Sequence, residues 1–235
     1  MRGLIVGLAV SLWAGSMLAS DIIVQKVRGE VAVRQGVTEV WSRVATGDVL
    51  KPDDTMKTGE KGSAVILVPD AAGNGAAKRI ALPPQVIVDM SDIRQLSQEE
   101  LMLKLAMEKV RSSSYHWKAD ELNIPNAAVV HGTDRGGGET LIENDIRIGI
   151  LQMNGTRVLF ENGYYPTCAL KAMEVFRLYP ALGERFENRL LVAEALERAE
   201  LKGEALHEYG GILKLVGLKV PQEELVRGKI VQLRK

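Results

Sequence analysis

Side chains that could do chemistry are thinly spread along this sequence. The three histidines, His116, His131 and His207, are too scattered to make a metal-binding motif. Serines occupy 112–114, just before His116, but nothing around them resembles the strained turn that exposes a catalytic serine. The sequence therefore predicts no catalytic, cofactor-binding or metal-binding residue, and we expect a protein that is not an enzyme.

Three acidic residues, Asp48, Asp53 and Asp54, lie close together around Pro52 in the stretch "GDVLKPDD". One interpretation is a cation site, because hard cations bind several oxygen ligands. The alternative is that they are turn residues, since aspartate and proline both favour turns. The ligand and glycine spacing of a dedicated calcium loop is absent, which favours the turn.

The stretch "HGTDRGGG" at 131–138 has the glycine content of a phosphate-binding loop. It lacks the Gly-Lys-Ser/Thr ending that makes such a loop specific. Three successive glycines instead favour a flexible connection. We therefore expect a linker over 112–138 between two domains.

The N-terminal segment 1–20 has the composition of a secretory signal. Arg2 precedes an uncharged apolar run from Gly3 to about Leu18, and small residues follow. We expect cleavage after Ala19 or Ser20, which leaves no stable transmembrane span; retention as an anchor is the alternative. The expected location is periplasmic or secreted.

The overall charge argues against one class of partner. The 235 residues carry 30 basic and 30 acidic side chains, so the formal net charge is zero. No global field attracts the protein to nucleic acid, and we expect no nucleic-acid partner.

The pattern from Asp21 to about Asp92 is typical of strands. "VRGEVAVRQ" alternates apolar and polar residues and predicts one half-buried strand across Gly29. "AVILV" at 64–68 is apolar on both faces and predicts a central strand, whereas the pair Pro83 and Pro84 predicts a strand break. We expect Trp41 to pack in the β core.

Helices are predicted further along the chain. Ser97 and Glu100 have the spacing of a capping box before an apolar stripe, so domain 21–111 should end in a helix. Segment 139–235 has the periodicity of two helical hairpins and a final helix. The expected fold class is α+β, with a mostly-β domain followed by an all-α domain.

Three further side chains carry separate expectations. Cys168, the only cysteine, should be a small buried apolar residue. His207 should be exposed on the polar side of its helix. Trp117 lies in a polar stretch, where an indole serves either the core or contact with a partner.

The two hairpins resemble tetratricopeptide repeats, whose small residues reflect tight packing within each helical pair. The matching positions are Gly163, Cys168, Ala172 and Pro180 in one unit, and Ala193, Ala205 and Tyr209 in the other. The sequence departs from the repeat at Glu200, where a turn glycine is expected, and at Thr156, where a smaller residue is expected. No closing proline follows the second unit.

The N-terminal half, from about Val24 to Met90, resembles the FecR domain, a module found outside the cytoplasmic membrane of bacteria. The resemblance implies a β-sandwich or β-roll fold. The matching residues are Gly29, Trp41, Gly47, Asp48, Thr58, Gly59, Ala64 and Leu67. FecR proper relays a signal to a sigma factor through a cytoplasmic segment. Only Met1 and Arg2 precede the apolar run here, so we expect no direct control of a sigma factor.

Together the two resemblances and the signal segment imply an exported, non-enzymatic binding or scaffold protein of the bacterial envelope. Its expected partner is an envelope protein, peptide or glycan. Two alternatives stay open: an envelope signal-transduction component related to FecR, and an enzyme acting on the cell wall. Neither alternative has residues in the sequence that single it out.

Overall fold

The computed structural model describes residues 21–69, 76–121 and 138–235, with side chains described outside 113–145. Strands occupy the first part of this range and helices the second, so the predicted mixed α+β class is confirmed. The predicted signal segment 1–20 lies outside the described residues. So do 122–137, which include His131 and most of the glycine-rich stretch.

Within the described residues, eight strands form two four-stranded antiparallel sheets. The first sheet has the order β4-β1-β6-β7 and the second β3-β2-β5-β8. Their bounds are β1 (Ile22–Arg28), β2 (Val31–Arg34), β3 (Trp41–Arg43), β4 (Val49–Leu50), β5 (Thr55–Thr58), β6 (Ser63–Val68), β7 (Lys78–Leu82) and β8 (Ile87–Asp89). The buried residues of both sheets belong to one hydrophobic core.

The predicted single strand through Gly29 is wrong, because the chain turns there and passes from one sheet to the other. Gly29 has φ +65°, a left-handed conformation that glycine adopts without steric penalty. A Cβ on it would lie 2.3 Å from the carbonyl oxygen of Lys61. Alternation of apolar residues continues across the turn, so it does not by itself reveal the break.

Strand β6 is central in its sheet, between β1 and β7, as predicted. Ala64, Ile66 and Val68 are buried, whereas the alternate residues are only half-buried. The prediction that both faces are covered therefore holds for one face and only in part for the other. The two prolines after β7 mark the predicted break, since β7 and β8 belong to different sheets.

The Thr-Gly pair of the FecR-like pattern has a structural role at the junction of the sheets. The hydroxyl of Thr58 donates to the carbonyl oxygen of Pro83 at 2.7 Å and accepts from the amide of Val86 at 3.0 Å. The amide of Gly59 donates to the carbonyl oxygen of Glu30 at 2.9 Å. The two bonds of Thr58 fix the segment between β7 and β8 against the end of β5, and the bond of Gly59 fixes the turn between β1 and β2 there.

Helices follow a 3₁₀ turn at Met90–Asp92. They are α1 (Gln98–Glu121), α2 (Gly138–Glu161), α3 (Tyr165–Leu178), the single turn α4 (Pro180–Gly183), α5 (Phe186–Arg198), α6 (Lys202–Ile212) and α7 (Val220–Leu233). Helix α1 continues into the segment predicted as a linker from 112. Among the described helices, none combines the length and apolar character needed to cross a membrane.

One of the two hydrogen bonds of the predicted capping box at the start of α1 is present. The Ser97 hydroxyl accepts a hydrogen bond from the amide of Glu100 at 3.1 Å. The Glu100 carboxylate does not complete the box; it accepts a hydrogen bond from Arg94 at 2.6 Å instead. Thr140 and Glu143 have the same capping-box spacing near the start of α2, but their side chains lie outside the described residues.

The turns between α2 and α3 and between α5 and α6 have the same backbone geometry. Gly163 has φ +76° and Glu200 has φ +62°, so glutamate adopts the left-handed conformation that glycine adopts in the other turn. In each turn the next amide, of Tyr164 or Leu201, donates to a carbonyl oxygen five residues earlier, at 2.9 and 3.0 Å. The departure of Glu200 from the repeat pattern therefore leaves the turn unchanged.

Six side chains at or near the repeat-like positions are fully buried. Each of the following has a relative exposure of 0 %: Thr156, Cys168, Ala172, Ala193, Ala205 and Tyr209. Thr156 is tolerated there because its hydroxyl donates to the carbonyl oxygen of Met153 at 2.7 Å. Small residues at these positions allow consecutive helices to approach closely.

The helical part packs directly on the second sheet through α2 and β8. Gly155 faces the backbone of Ile87, and a Cβ on the glycine would lie 2.0 Å from the Ile87 carbonyl oxygen. Beside this contact, the side-chain amide (Nδ2) of Asn154 donates to the carbonyl oxygen of Gln85 at 2.8 Å. Buried residues of the sheets and the helices form one continuous core.

Candidate functional site

A groove of about 740 Å³ lies between α1, α3 and the 3₁₀ turn, and it is here named the α1–α3 groove. On α3 its wall includes Thr167, Leu170, Lys171 and Glu174, which recur at helical spacing. The wall on α1 has the same spacing and consists of Glu100, Leu103, Lys104, Met107, Glu108 and Arg111.

Helix α1 presents apolar residues on two different faces. Leu101 and Leu105 are buried against the protein, as the periodicity predicts. Leu103 and Met107 face the groove, with exposed fractions of 64 % and 46 %. Met102, which follows Leu101 and belongs to the apolar stripe predicted for this helix, is also exposed, so the buried stripe is narrower than the sequence suggests.

Lys171 is the central charge in the groove. Its ammonium lies 2.7 Å from a carboxylate oxygen of Asp89 and 3.1 Å from one of Glu174. Burial alone lowers the pKa of Lys171, but the negative charges of Asp89, Asp92 and Glu174 outweigh it and raise the pKa above its ordinary value. The lysine is therefore permanently charged and joins strand β8 to helix α3.

The ion pair with Lys171 also keeps Asp89 ionised. Burial raises the pKa of Asp89, but the charge of Lys171 and the hydrogen bonds from Lys171 and Thr55 bring it below the ordinary value. The Thr55 hydroxyl donates to Asp89 at 2.6 Å. Both oxygens of this carboxylate are thus engaged within the protein.

Asp92 differs from the other carboxylates of the groove. Burial raises the pKa of Asp92 to about 6; Lys171 opposes this rise, whereas Asp89 and Glu174 add to it. Its carboxylate accepts no hydrogen bond from any described residue. Asp92 therefore keeps its hydrogen-bonding capacity free for a ligand, whereas Glu100, Glu108 and Glu174 pair with cations.

Ion pairs close the far end of the groove. The buried Glu108 accepts a hydrogen bond from Arg177 of α3 at 2.6 Å and lies 3.7 Å from Arg111. At the near end, Glu100 pairs with Arg94 at 2.6 Å and with Lys104 at 3.7 Å. The groove is therefore lined by apolar side chains interspersed with charged ones, an arrangement that suits binding of a segment with both kinds of side chain.

The aspartates around Pro52 act as turn residues. Asp48 accepts a hydrogen bond from the amide of Ala45 at 2.8 Å, and Asp54 from the amide of Lys51 at 2.9 Å. Each bond closes a local turn, which is the interpretation that the sequence favoured. No group of three or more potential metal ligands comes together among the residues whose side chains are described.

Of the remaining polar candidates, His207 and Ser112 have described side chains, and they lie on different helices. His207 is exposed on α6, as predicted. The hydroxyl of Ser112 donates to carbonyl oxygens of its own helix, at Glu108 and Lys109, both at 3.0 Å. Side chains of Ser113, Ser114, His116 and Trp117 lie outside the described residues.

The prediction that Trp41 packs in the β core is wrong. Trp41 lies on β3 at the border of the second sheet and is 36 % exposed. The guanidinium of Arg34 lies 5.5 Å from its ring centroid and the ammonium of Lys57 lies 5.4 Å from it, within the range of cation–π attraction. The indole therefore packs among cations on the surface.

Cys168 is buried on α3, as predicted. Burial raises the pKa of its thiol to about 12. A thiol with so little thiolate is a poor nucleophile and a poor metal ligand. Its role is packing between helices.

Sequence reasoning missed the charged residues of the groove. Asp89 and Lys171 are separated by 82 positions, and each comes from a segment assigned to a different domain. Neither residue belongs to a local motif. The predicted apolar stripe of α1 did not include Leu103 and Met107, and these additional apolar residues were the signal in the sequence that could have indicated a second, exposed face.

A comparison with protein-family models finds no match for this chain, and a comparison with curated protein sequences finds no significant relative.

Proposed function

We propose that the protein is an exported, non-enzymatic binding or scaffold protein of the bacterial envelope that holds a segment of a partner protein or peptide in the α1–α3 groove. The observation that carries this proposal is the exposure of Leu103 and Met107 inside the α1–α3 groove. Apolar side chains that remain open to water in a groove gain free energy when a partner covers them.

The chemistry of the groove favours a polypeptide over a glycan. Full burial of a leucine or methionine side chain contributes about 1.5–3 kcal/mol, and methionine adapts its shape to different partners. The charged ends would orient the bound segment, because Asp92 attracts a basic group while Arg111 attracts an acidic one. Peptides supply both groups on one apolar stretch.

Export to the envelope is supported by the composition of segment 1–20 and by the two family resemblances. The matching turns at Gly163 and Glu200 support repeat-like packing of the helices, since two differently composed turns adopt one geometry. The hydrogen bonds of Thr58 and Gly59 support the interpretation that residues of the FecR-like pattern are needed to hold the two sheets together.

Site-specific photo-crosslinking in envelope preparations tests the groove. A benzoylphenylalanine replaces Met107, and in a control variant it replaces Val231, which is 58 % exposed on α7. We expect a discrete protein adduct at position 107 and not at position 231. A second substitution in the groove, Leu103→Glu, should reduce the yield at 107 because it places a charge in the apolar contact.

Three results would contradict the proposal. Equal adduct yields at 107 and 231 would show that the groove has no special affinity. Adducts whose added mass is removed by glycosidases would assign the partner to the glycans. Recovery of the whole protein with the cytoplasmic fraction after osmotic shock would exclude export.

A further inference from the structure

Strand β3 is an edge strand of the second sheet, and its free edge is here called the border. In the part of the chain that the structure describes, it pairs with β2 alone, and Trp41, Ser42 and Arg43 are all exposed. A border strand presents unpaired backbone groups to any extended segment that approaches it.

The hydrogen-bond register identifies which backbone groups are open. The amide of Val44 donates to the carbonyl oxygen of Val31 at 3.1 Å, and Ser42 lies opposite Val33. Because the hydrogen-bonding direction alternates along a strand, Ser42 and Val44 point toward β2. The N–H and C=O groups of Trp41 and Arg43 consequently point outward.

Side chains beside this border are basic. Trp41 and Arg43 share the outer face of the sheet with Arg34 and Lys57, as the pairing registers show. Asp89 lies on the same face of the sheet, but Lys171 neutralises its carboxylate. The face next to the border thus carries three cations and an indole.

Charge decides which segment can pair with β3. A second copy of the chain would bring its own Arg34 and Arg43 against the same residues, and like charges on neighbouring strands are unfavourable. An acidic strand would instead place carboxylates beside these cations, which is favourable. Glu39, the nearest acidic residue before the strand, lies on the preceding loop.

We propose that an extended acidic segment of a partner protein adds to β3 as a fifth strand of the second sheet. Its backbone pairs with Trp41 and Arg43, and its carboxylates face Arg34, Arg43 and Lys57. The indole of Trp41 covers the apolar part of the added strand. This site is separate from the α1–α3 groove and does not depend on the function proposed for it.

Amide hydrogen exchange measured by NMR on the full chain tests the pairing residue by residue. The probe is the blocked peptide Thr-Glu-Val-Glu-Val-Glu-Thr, and the control peptide has lysine in place of each glutamate. We expect the acidic probe to slow exchange of the Trp41 and Arg43 amides by about tenfold or more. The amide of Ser42 already bonds to β2 and should change little.

A charge-reversed variant separates electrostatic recognition from misfolding. Arg43→Glu should weaken binding of the acidic probe and strengthen binding of the lysine peptide. The matched variant Arg227→Glu, on the exposed face of α7, should bind the acidic probe like the wild type. A variant that had merely lost its fold would bind neither peptide.

Several outcomes would overturn the proposal. One is unchanged exchange at Trp41 and Arg43 in saturating probe, and another is equal protection by both peptides. Protection that appears without peptide and grows with protein concentration would assign the border to a second copy of the chain. Shifts confined to the α1–α3 groove would contradict strand addition while still supporting the proposed function.

Discussion

Gly155 of helix α2 lies against the carbonyl group of Ile87 in strand β8, so closely that a Cβ would be 2.0 Å from the oxygen. No side chain separates the helix from the strand at this point. The contact joins the helical part of the chain to the second sheet. Strand β8 also carries Asp89, which pairs with Lys171 on α3. The contact at Gly155 therefore helps to set the distance between the sheet and Lys171.

Gly155→Ala should destabilise the protein by about 2–4 kcal/mol, because the added methyl forces helix and strand apart in a packed core. The matched control is Gly210→Ala in α6, where nothing lies within 4 Å of the new Cβ. Alanine should stabilise that helix by about 0.5–1 kcal/mol. Urea denaturation measures both; equal effects of the two substitutions would contradict the close contact.

Glu200→Gly should stabilise the protein by about 1 kcal/mol, because glutamate is strained at φ +62° and glycine is not. Gly163→Ala, at the equivalent turn, should destabilise by a similar amount. Thermal unfolding monitored by circular dichroism compares the two. A loss of stability in Glu200→Gly would show that the two turns are not equivalent.

Lys171→Met should destabilise the protein by about 2–4 kcal/mol, since it leaves Asp89 without its partner in a largely buried position. Arg227→Met is the control, because its partner Glu223 lies on the same exposed helix face. That substitution should change the free energy of unfolding by less than about 0.5 kcal/mol. Comparable losses in guanidinium titrations would argue against the central role of Lys171.

Asp92→Asn should make stability less dependent on pH. Because burial raises the pKa of Asp92 to about 6, the folded state binds a proton more tightly than the unfolded state between about pH 4 and 6. The wild type therefore loses stability as the pH rises through this window. The variant should be more stable than the wild type at pH 7.5, by about 1–2 kcal/mol.

At pH 4 the advantage of Asp92→Asn should largely disappear, because the wild-type carboxyl is then mostly protonated in the folded protein. Unfolding curves at the two pH values supply the comparison. A gap between variant and wild type that does not change with pH would show that Asp92 does not titrate in this window.

Cys168 should not react with iodoacetamide in the native protein. Its thiol is buried, and the pKa of about 12 leaves almost no thiolate at neutral pH. Mass spectrometry should find the label only after denaturation, and the single cysteine makes the result unambiguous. Rapid labelling of the native protein would show that α3 opens readily.

Features with a local cause could be predicted from the sequence. The cap at Ser97, the exposure of His207 and the strand break at Pro83 each depend on a few neighbouring residues. Burial of Cys168 follows in the same way, from residue type and helical spacing. These predictions succeed because the decisive interactions lie within one turn or one strand.

Features that depend on distant contacts could not be predicted. The break at Gly29 requires the approach of Lys61, and apolar alternation continues across it. Trp41 has a residue type that suits a core, but its strand lies at the border of the sheet, where one side is open.

The sequence by itself determined the α+β class, the order of strands before helices, the main helices and the turns that end them. Propensity, capping and periodicity operate over a few residues, so they can be evaluated without a fold. Only the tertiary structure decided that Asp89 and Lys171 meet, that Leu103 and Met107 line a groove, and that β3 has an open border. Each of these depends on the packing of segments far apart in the chain, which local preferences do not specify.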